Sequence, residues 1–170
     1  MRDAAARRIE QYAPVIHRQE RDAIRELLKQ APDVYAGMFF DHRQNDLLAV
    51  QVAGEDAEAR GEAAIAAVGI TVPVEVRVVR FTDGQLHRIT DAINRIGVAD
   101  PKRMTDHGMG GVIRLLEGNS VVIHAMTGTT DSIRSLLAAD PVLTRGLLNG
   151  SLEIVEDNLR FVSGATRPSG

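Results

Sequence analysis

The chain has 170 residues, of which 44% are hydrophobic and 25% charged, and its net charge is −3. This composition is ordinary for a globular protein of one medium domain or two small ones. The negative charge disfavours a nucleic-acid binder, because such proteins neutralise phosphates with a basic face. Since the chain contains no cysteine, disulfides, a thiolate nucleophile and cysteine-based metal sites are excluded.

Neither a membrane span nor a signal peptide is visible in the sequence. No apolar run approaches the roughly 20 residues that a spanning helix needs. The N-terminal segment carries basic residues but lacks the apolar core of a signal peptide. The protein is therefore expected to be cytoplasmic, or secreted if the chain begins after a removed leader.

The first elements in chain order are an amphipathic helix and a β-hairpin. Apolar residues recur at helical spacing from Ile16 to Leu28, and Pro32 ends the pattern. Two runs of β-forming residues then flank a polar break, at Met38–Phe40 and at Leu47–Val52. The second run is almost continuously apolar, which is typical of a strand covered on both faces.

A helix, a strand and another helix follow the hairpin. Glu55–Val68 is rich in alanine, whose small side chain lets a helix lie close to a sheet, and Gly69 suits the position just past its end. Val72–Phe81 alternates between apolar and charged residues, which predicts a half-exposed strand. Thr82 stands three residues before a glutamine, the spacing of a capping box, so a helix is predicted from Thr82 to Gly97.

The second half of the chain follows the same order more weakly. Residues 98–108 are polar and are predicted to form a linker. A second hairpin is predicted from Gly110–Leu116 and Val121–Met126. A short helix then follows, and Pro141 is predicted to end it.

The C-terminal region is predicted to contain a third hairpin and a tail. Leu152–Glu156 and Leu159–Val162 surround the dipeptide Asp157-Asn158, which indicates a two-residue turn. Residues 163–170 are predicted to form a flexible tail, because they are small, polar and terminal.

An ungapped shift of 74 residues aligns the two halves, with Gly37 on Gly111, Gly54 on Gly128, Arg60 on Arg134 and Ala64 on Ala138. The alternative is a chance likeness between two hairpin–helix segments. The sequence predicts an α+β fold of two tandem β-hairpin–helix–strand units, in which helices cover antiparallel sheets. The predicted organisation is 1–97 for the N-terminal helix and first unit, 98–108 for the linker, 109–162 for the second unit and 163–170 for the tail.

No catalytic, metal-binding or cofactor-binding residue is predicted. The five histidines lack the spacing of paired metal ligands on one helix face. His124 stands alone in an apolar strand and is expected to be structural, and the pair Asp106-His107 is the remaining candidate for a polar site. No serine lies in a nucleophile elbow, and no glycine-rich loop links a strand to a helix. The chain is therefore expected not to be an enzyme.

One stretch of the chain resembles a known family. The segment Tyr35–Asp41, the run Leu47–Val52 and the strand sequence Val74–Phe81, with a helix after it, resemble the pro-region of secreted actinobacterial serine proteases of the streptogrisin and alpha-lytic type. The resemblance covers residues 18–96 and, loosely, 109–162. The chain departs from that family because no protease domain with its catalytic motifs follows.

The resemblance implies a protein-binding module that acts as a folding chaperone and inhibitor of a serine protease. From the residues themselves, neither a cofactor nor a nucleic-acid or membrane partner is expected. The resemblance also implies that the partner contacts residues near the C-terminus: Leu159, Arg160, Phe161, Val162, Ser163, Gly164, Ala165 and Thr166. The alternative is a stand-alone intracellular α+β module that senses a small ligand or forms a homodimer through a strand edge. Both stay open at the level of sequence, because a fold by itself does not transfer function.

Overall fold

The computed structural model describes residues 18–44, 47–69 and 73–157, which fold as two α+β units. The first unit comprises the described residues up to His87 together with the turn Leu116–Asn119. The second unit comprises Arg88–Leu115 and the described residues from Ser120 onward. The α+β class predicted from the sequence is confirmed.

The first unit places two helices against one face of a three-stranded sheet. Its elements are α1 (Arg18–Lys29), β1 (Tyr35–Asp41), a 3₁₀ turn (His42–Gln44), β2 (Leu47–Val52), α2 (Ala57–Val68) and β3 (Val74–Val78), followed by the start of α3 (Asp83–Ala99). Strand β2 is central, with β1 antiparallel to it on one side and β3 parallel to it on the other.

The core of the first unit lies between this sheet and its helices. Ile24 of α1 and Leu48 and Val50 of β2 are completely buried in one cluster. Helix α2 approaches the sheet most closely at Gly61, where a Cβ atom would lie 3.0 Å from Val76 Cγ1. The prediction that small side chains let this helix lie close to the sheet is therefore confirmed.

The second unit is built on the same pattern with additional helices. Its elements are the remainder of α3, α4 (Pro101–Asp106), β4 (Met109–Leu115), β5 (Ser120–Met126), α5 (Thr130–Leu137), α6 (Pro141–Asn149) and β6 (Leu152–Asp157). Strand β5 is central, with β4 antiparallel and β6 parallel to it.

In both units the third strand is parallel to the second, so the prediction of antiparallel sheets is wrong. Each hairpin accounts only for the antiparallel pair. The helices between the second and third strands carry the chain back along the sheet, and the third strand therefore runs in the direction of the central one. Both sheets are mixed.

Two boundaries near the predicted linker also differ from the prediction. Helix α3 continues past Gly97, which lies against the next helix: a Cβ atom there would be 2.5 Å from Met104 Sδ. Pro101 begins α4 inside the segment predicted as a linker. The carboxylate of Asp100 caps that helix by accepting from the Arg103 N–H at 3.2 Å. Gly97 therefore allows two helices to pack closely, and Pro101 begins a helix.

The other helix starts show which sequence signals were reliable. The capping box is confirmed, because Thr82 N–H donates to Gln85 Oε1 at 2.9 Å and Gln85 N–H donates to Thr82 Oγ1 at 3.2 Å. Pro141 begins α6, although it was predicted only to end the preceding helix, and Asp140 accepts from Val142 N–H at 2.8 Å. Proline suits a first helical turn, since the N–H that it lacks would have no partner there.

The two sheets share local features as well as strand order. The strand register shifts between Tyr35 and Gly37 in the first hairpin and between Met109 and Gly111 in the second. Gly54 and Gly128, which follow the two central strands, both have positive φ, at 99° and 79°. These glycines are the ones that the shift of 74 residues aligns. The second unit differs by the extra helix α6 before its third strand.

Part of the predicted C-terminal hairpin lies outside the described residues. Strand β6 ends at Asp157, and its predicted partner Leu159–Val162 and the predicted tail 163–170 are not described. The candidate partner-binding residues from Leu159 to Thr166 all fall in this segment, so their role stays a prediction.

Candidate functional site

The two faces of the second sheet have different surroundings. Val121, Ile123 and Ala125 of the central strand are completely buried. Leu152 of β6 pairs with Val121. Helix α6 packs closely against it, since a Cβ atom added to Gly146 would lie only 3.0 Å from the Cβ of Leu152. This face is therefore the one that the helices cover.

The opposite face of the same sheet is formed by the alternate residues of each strand. Strand pairing places Ile113, Val122 and Glu153 side by side across the three strands. Two residues further along the central strand, His124 pairs with Val155. This surface, named the open face, consists of Gly111, Ile113, Leu115, Ser120, Val122, His124, Met126, Glu153, Val155 and Asp157.

Four apolar side chains of the open face are more than one-third exposed, namely Ile113 at 47%, Leu115 at 43%, Val155 at 40% and Met126 at 38%. Val122, in the central strand, is buried. Exposed apolar groups that share one surface mark sites of protein interaction more often than scattered single ones. Sequence reasoning did not identify these residues, because only the strand register shows that they share a face.

A histidine–aspartate pair joins the central strand to the end of β6 on the open face. The Nδ1 atom of His124 contacts a carboxylate oxygen of Asp157, the last residue of the strand. Both side chains are partly exposed. The expectation that His124 has a structural partner agrees with this contact.

Glu156, on the helix-covered face of β6, caps helix α5. Its carboxylate accepts from Thr130 Oγ1 at 2.6 Å and from Thr130 N–H at 3.3 Å. The Thr130 hydroxyl, followed by the N–H groups of Gly128 and Thr130, lowers the pKa of Glu156 below its ordinary value. A carboxylate at this end of a helix is also favoured by the helix dipole.

We expect Glu156→Gln to destabilise the protein at neutral pH. We also expect the stability of this variant to change less than that of the parent chain as the pH falls. Because the pKa is lower in the folded state, the carboxylate contributes stability above its ordinary pKa and loses it as the pH falls through the folded-state pKa. The measurement is the urea midpoint of both proteins at about pH 7 and about pH 3, on either side of the ordinary pKa of glutamate. A deficit of equal size at both pH values would contradict this role.

The histidine of the polar pair Asp106-His107 contacts a serine in the first turn of α5. His107 Nδ1 lies 2.8 Å from Ser132 Oγ and 3.0 Å from the Ser132 carbonyl oxygen. The carbonyl oxygen accepts from Nδ1 when that nitrogen carries the ring proton, whereas the hydroxyl donates to Nδ1 when it does not. The contact therefore ties the end of α4 to the first turn of α5.

A charged cluster lies on the face of the first sheet away from its helices. Arg77 Nη2 bonds Asp41 Oδ2 at 2.9 Å, Arg77 Nε bonds Glu75 Oε2 at 2.7 Å, and the guanidinium stands 5.5 Å from the centre of the Phe39 ring. The Arg77 side chain lowers the pKa of Asp41. With both carboxylates satisfying the guanidinium, this cluster fixes the position of Arg77 within the sheet.

The turn residue Asn119 holds the first unit together through a pair of hydrogen bonds. Its Oδ1 accepts from Phe81 N–H at 2.7 Å and its Nδ2 donates to the Phe81 carbonyl oxygen at 2.8 Å, as a neighbouring strand would. Asn119 is buried and has a φ of 49°. From the sequence it was recognised only as a turn residue.

Within the described ranges, no three histidine, aspartate or glutamate side chains are gathered closely enough to hold a metal ion. In that same part of the chain, no helix combines the length and the apolar character that crossing a membrane requires. Comparisons of the sequence with protein-family models and with curated proteins gave no match.

Proposed function

We propose that the protein is a non-catalytic protein-binding module, which docks a protein partner on the open face of its second sheet. The observation that carries the proposal is the set of exposed apolar side chains on that face, Ile113, Leu115, Met126 and Val155. Covering such side chains is worth about 25 cal/mol per Å² of apolar surface removed from water. The opposite face, with residues such as Ile123, already fills the core.

The resemblance of residues 18–96 to protease pro-regions supports a class of partner. It favours a secreted serine protease of the streptogrisin or alpha-lytic type, for which the module would act as folding chaperone and inhibitor. In the sequence, the C-terminal candidates Leu159–Thr166 begin two residues after the end of β6. They are proposed as further contacts with the same partner.

Inhibition of a streptogrisin-type protease by the full chain tests the proposal. We expect Ile113→Glu and Val155→Glu each to raise the inhibition constant at least about tenfold, because a carboxylate replaces an apolar contact at the centre of the interface. Deleting residues 163–170 is expected to weaken inhibition as well. Leu148→Glu is the matched control: Leu148 is exposed on α6, outside the open face, and its variant should inhibit like the parent chain.

The outcomes separate the two candidate functions. Equal effects of Leu148→Glu and Ile113→Glu would contradict docking on the open face. An outer edge of β6 that no described strand covers favours self-association as the second candidate. If the parent chain leaves the protease uninhibited and light scattering gives a dimer, the second candidate replaces the first.

A further inference from the structure

Glu153 differs from the other acidic residues of β6 in having no partner among the described residues. Asp157 contacts His124, and Glu156 caps α5 at Thr130. Glu153 is exposed and forms no hydrogen bond or ion pair with any described residue. It is therefore the uncompensated carboxylate of this strand.

The surroundings of Glu153 on the open face are apolar. Strand pairing places it level with Val122 and Ile113, and Val155 stands two residues further along the same strand. Ile113 and Val155 are among the exposed apolar side chains of this face. A partner that covers them also removes water from the neighbouring carboxylate.

We propose that the partner of the open face places an arginine or lysine side chain against Glu153, while its apolar side chains cover Ile113 and Val155. This inference rests on the proposed function and adds the chemistry of the partner surface. A carboxylate that loses its water without gaining a partner is costly, so an interface over this face needs a cation at Glu153. Arginine suits the position because its stem packs on apolar surface while its guanidinium pairs with a carboxylate.

The distribution of charge on the open face also favours a partner other than a second copy of this chain. The face carries two carboxylates, Glu153 and Asp157, and its basic group, His124, already contacts Asp157. Two copies packed face to face would bring like charges together, which disfavours association. A different protein with a basic, apolar surface is complementary.

The test compares Glu153→Gln and Glu153→Lys with the parent chain as inhibitors of a streptogrisin-type protease at low and high salt. At low salt we expect Glu153→Gln to raise the inhibition constant about tenfold and Glu153→Lys to raise it further. We also expect salt to weaken inhibition by Glu153→Gln less than inhibition by the parent chain, because screening acts on the attraction that this variant lacks. For Glu153→Lys, salt screens the repulsion between the two cations, so its deficit relative to the parent chain is expected to shrink as salt rises. Glu62→Gln, which removes the same charge from an exposed position of α2, should inhibit like the parent chain.

The results distinguish failure of this inference from failure of the proposed function. One result would be weaker inhibition by Ile113→Glu while both Glu153 variants inhibit like the parent chain. That result would support docking on the open face and overturn the inference that the partner places a cation against Glu153. A salt dependence of Glu153→Gln equal to that of the parent chain also overturns it. If the parent chain does not inhibit, the proposed function and this inference fall together. Since Glu153 is exposed, thermal melts of its variants are expected to match the parent and to exclude misfolding as the cause.

Discussion

Replacing Asn119 by alanine is expected to lower the free energy of unfolding by about 3 kcal/mol, because it leaves the N–H and the carbonyl oxygen of Phe81 without their partners. Asn119 is buried, so water does not readily replace the lost bonds. Alanine also fits poorly at a φ of 49°, which adds backbone strain. Urea denaturation at neutral pH measures the loss.

Two further variants separate the causes of this loss. Asn119→Gly accepts the positive φ without strain, so its deficit reports the hydrogen bonds together with the larger conformational entropy that glycine loses on folding. Asn94→Ala removes an exposed amide from α3 and is the control, with an expected change within about 0.5 kcal/mol. A loss below about 1 kcal/mol in Asn119→Gly, less than two buried unpaired groups cost, would contradict the proposed pairing.

Asn119→Asp gives the same contact a pH dependence. One carboxylate oxygen still accepts from Phe81 N–H, whereas the other faces the Phe81 carbonyl oxygen and repels it. Protonation turns that oxygen into a donor, so the folded state favours the protonated form of the introduced carboxyl. The deficit relative to the parent chain, measured at each pH, is therefore expected to shrink as the pH falls. A deficit that stays constant or grows in acid would refute the geometry.

The second large effect is expected from Ile123→Ala in the central strand of the second sheet. Ile123 is completely buried between Val112 and Ile154 on the helix-covered face. We expect the substitution to reduce the free energy of unfolding by about 3–4 kcal/mol, because it removes buried methyl groups and leaves a cavity. Chemical denaturation of the two proteins provides the measurement.

Ile113→Ala is the matched control, since it makes the same substitution in the same sheet on the open face. Ile113 is 47% exposed, and we expect a loss below about 1 kcal/mol. If the proposed function is right, this variant instead loses affinity for the partner. Similar losses of stability from the two substitutions would show that the faces have been assigned wrongly.

Most individual elements could be predicted from the sequence, because their signals come from residues a few positions apart. The capping box at Thr82 and Gln85 acts within one helical turn, and both hairpins join strands that are adjacent in the chain. The register shifts that end at Gly37 and Gly111 fall on residues that the sequence repeat aligns. Two boundaries were predicted wrongly. Gly97 was taken as the end of a helix but allows close packing against Met104, and Pro101 was taken as part of a linker but begins α4.

The candidate site could not be predicted in the same way, since its members come from three strands. The exposed apolar face depends on the register that aligns Ile113, Val122 and Glu153. The bonds of Asn119 to Phe81 and of Glu156 to Thr130 likewise join residues far apart in the chain.

The sequence by itself determined the α+β class, the capping box at Thr82 and the type and order of most elements, but not α4 or α6. Only the tertiary structure decided the direction of β3 and β6, the face that stays exposed and the partners of the buried polar groups. The reason is physical: local patterns fix φ and ψ, whereas strand pairing and burial depend on which distant segments meet.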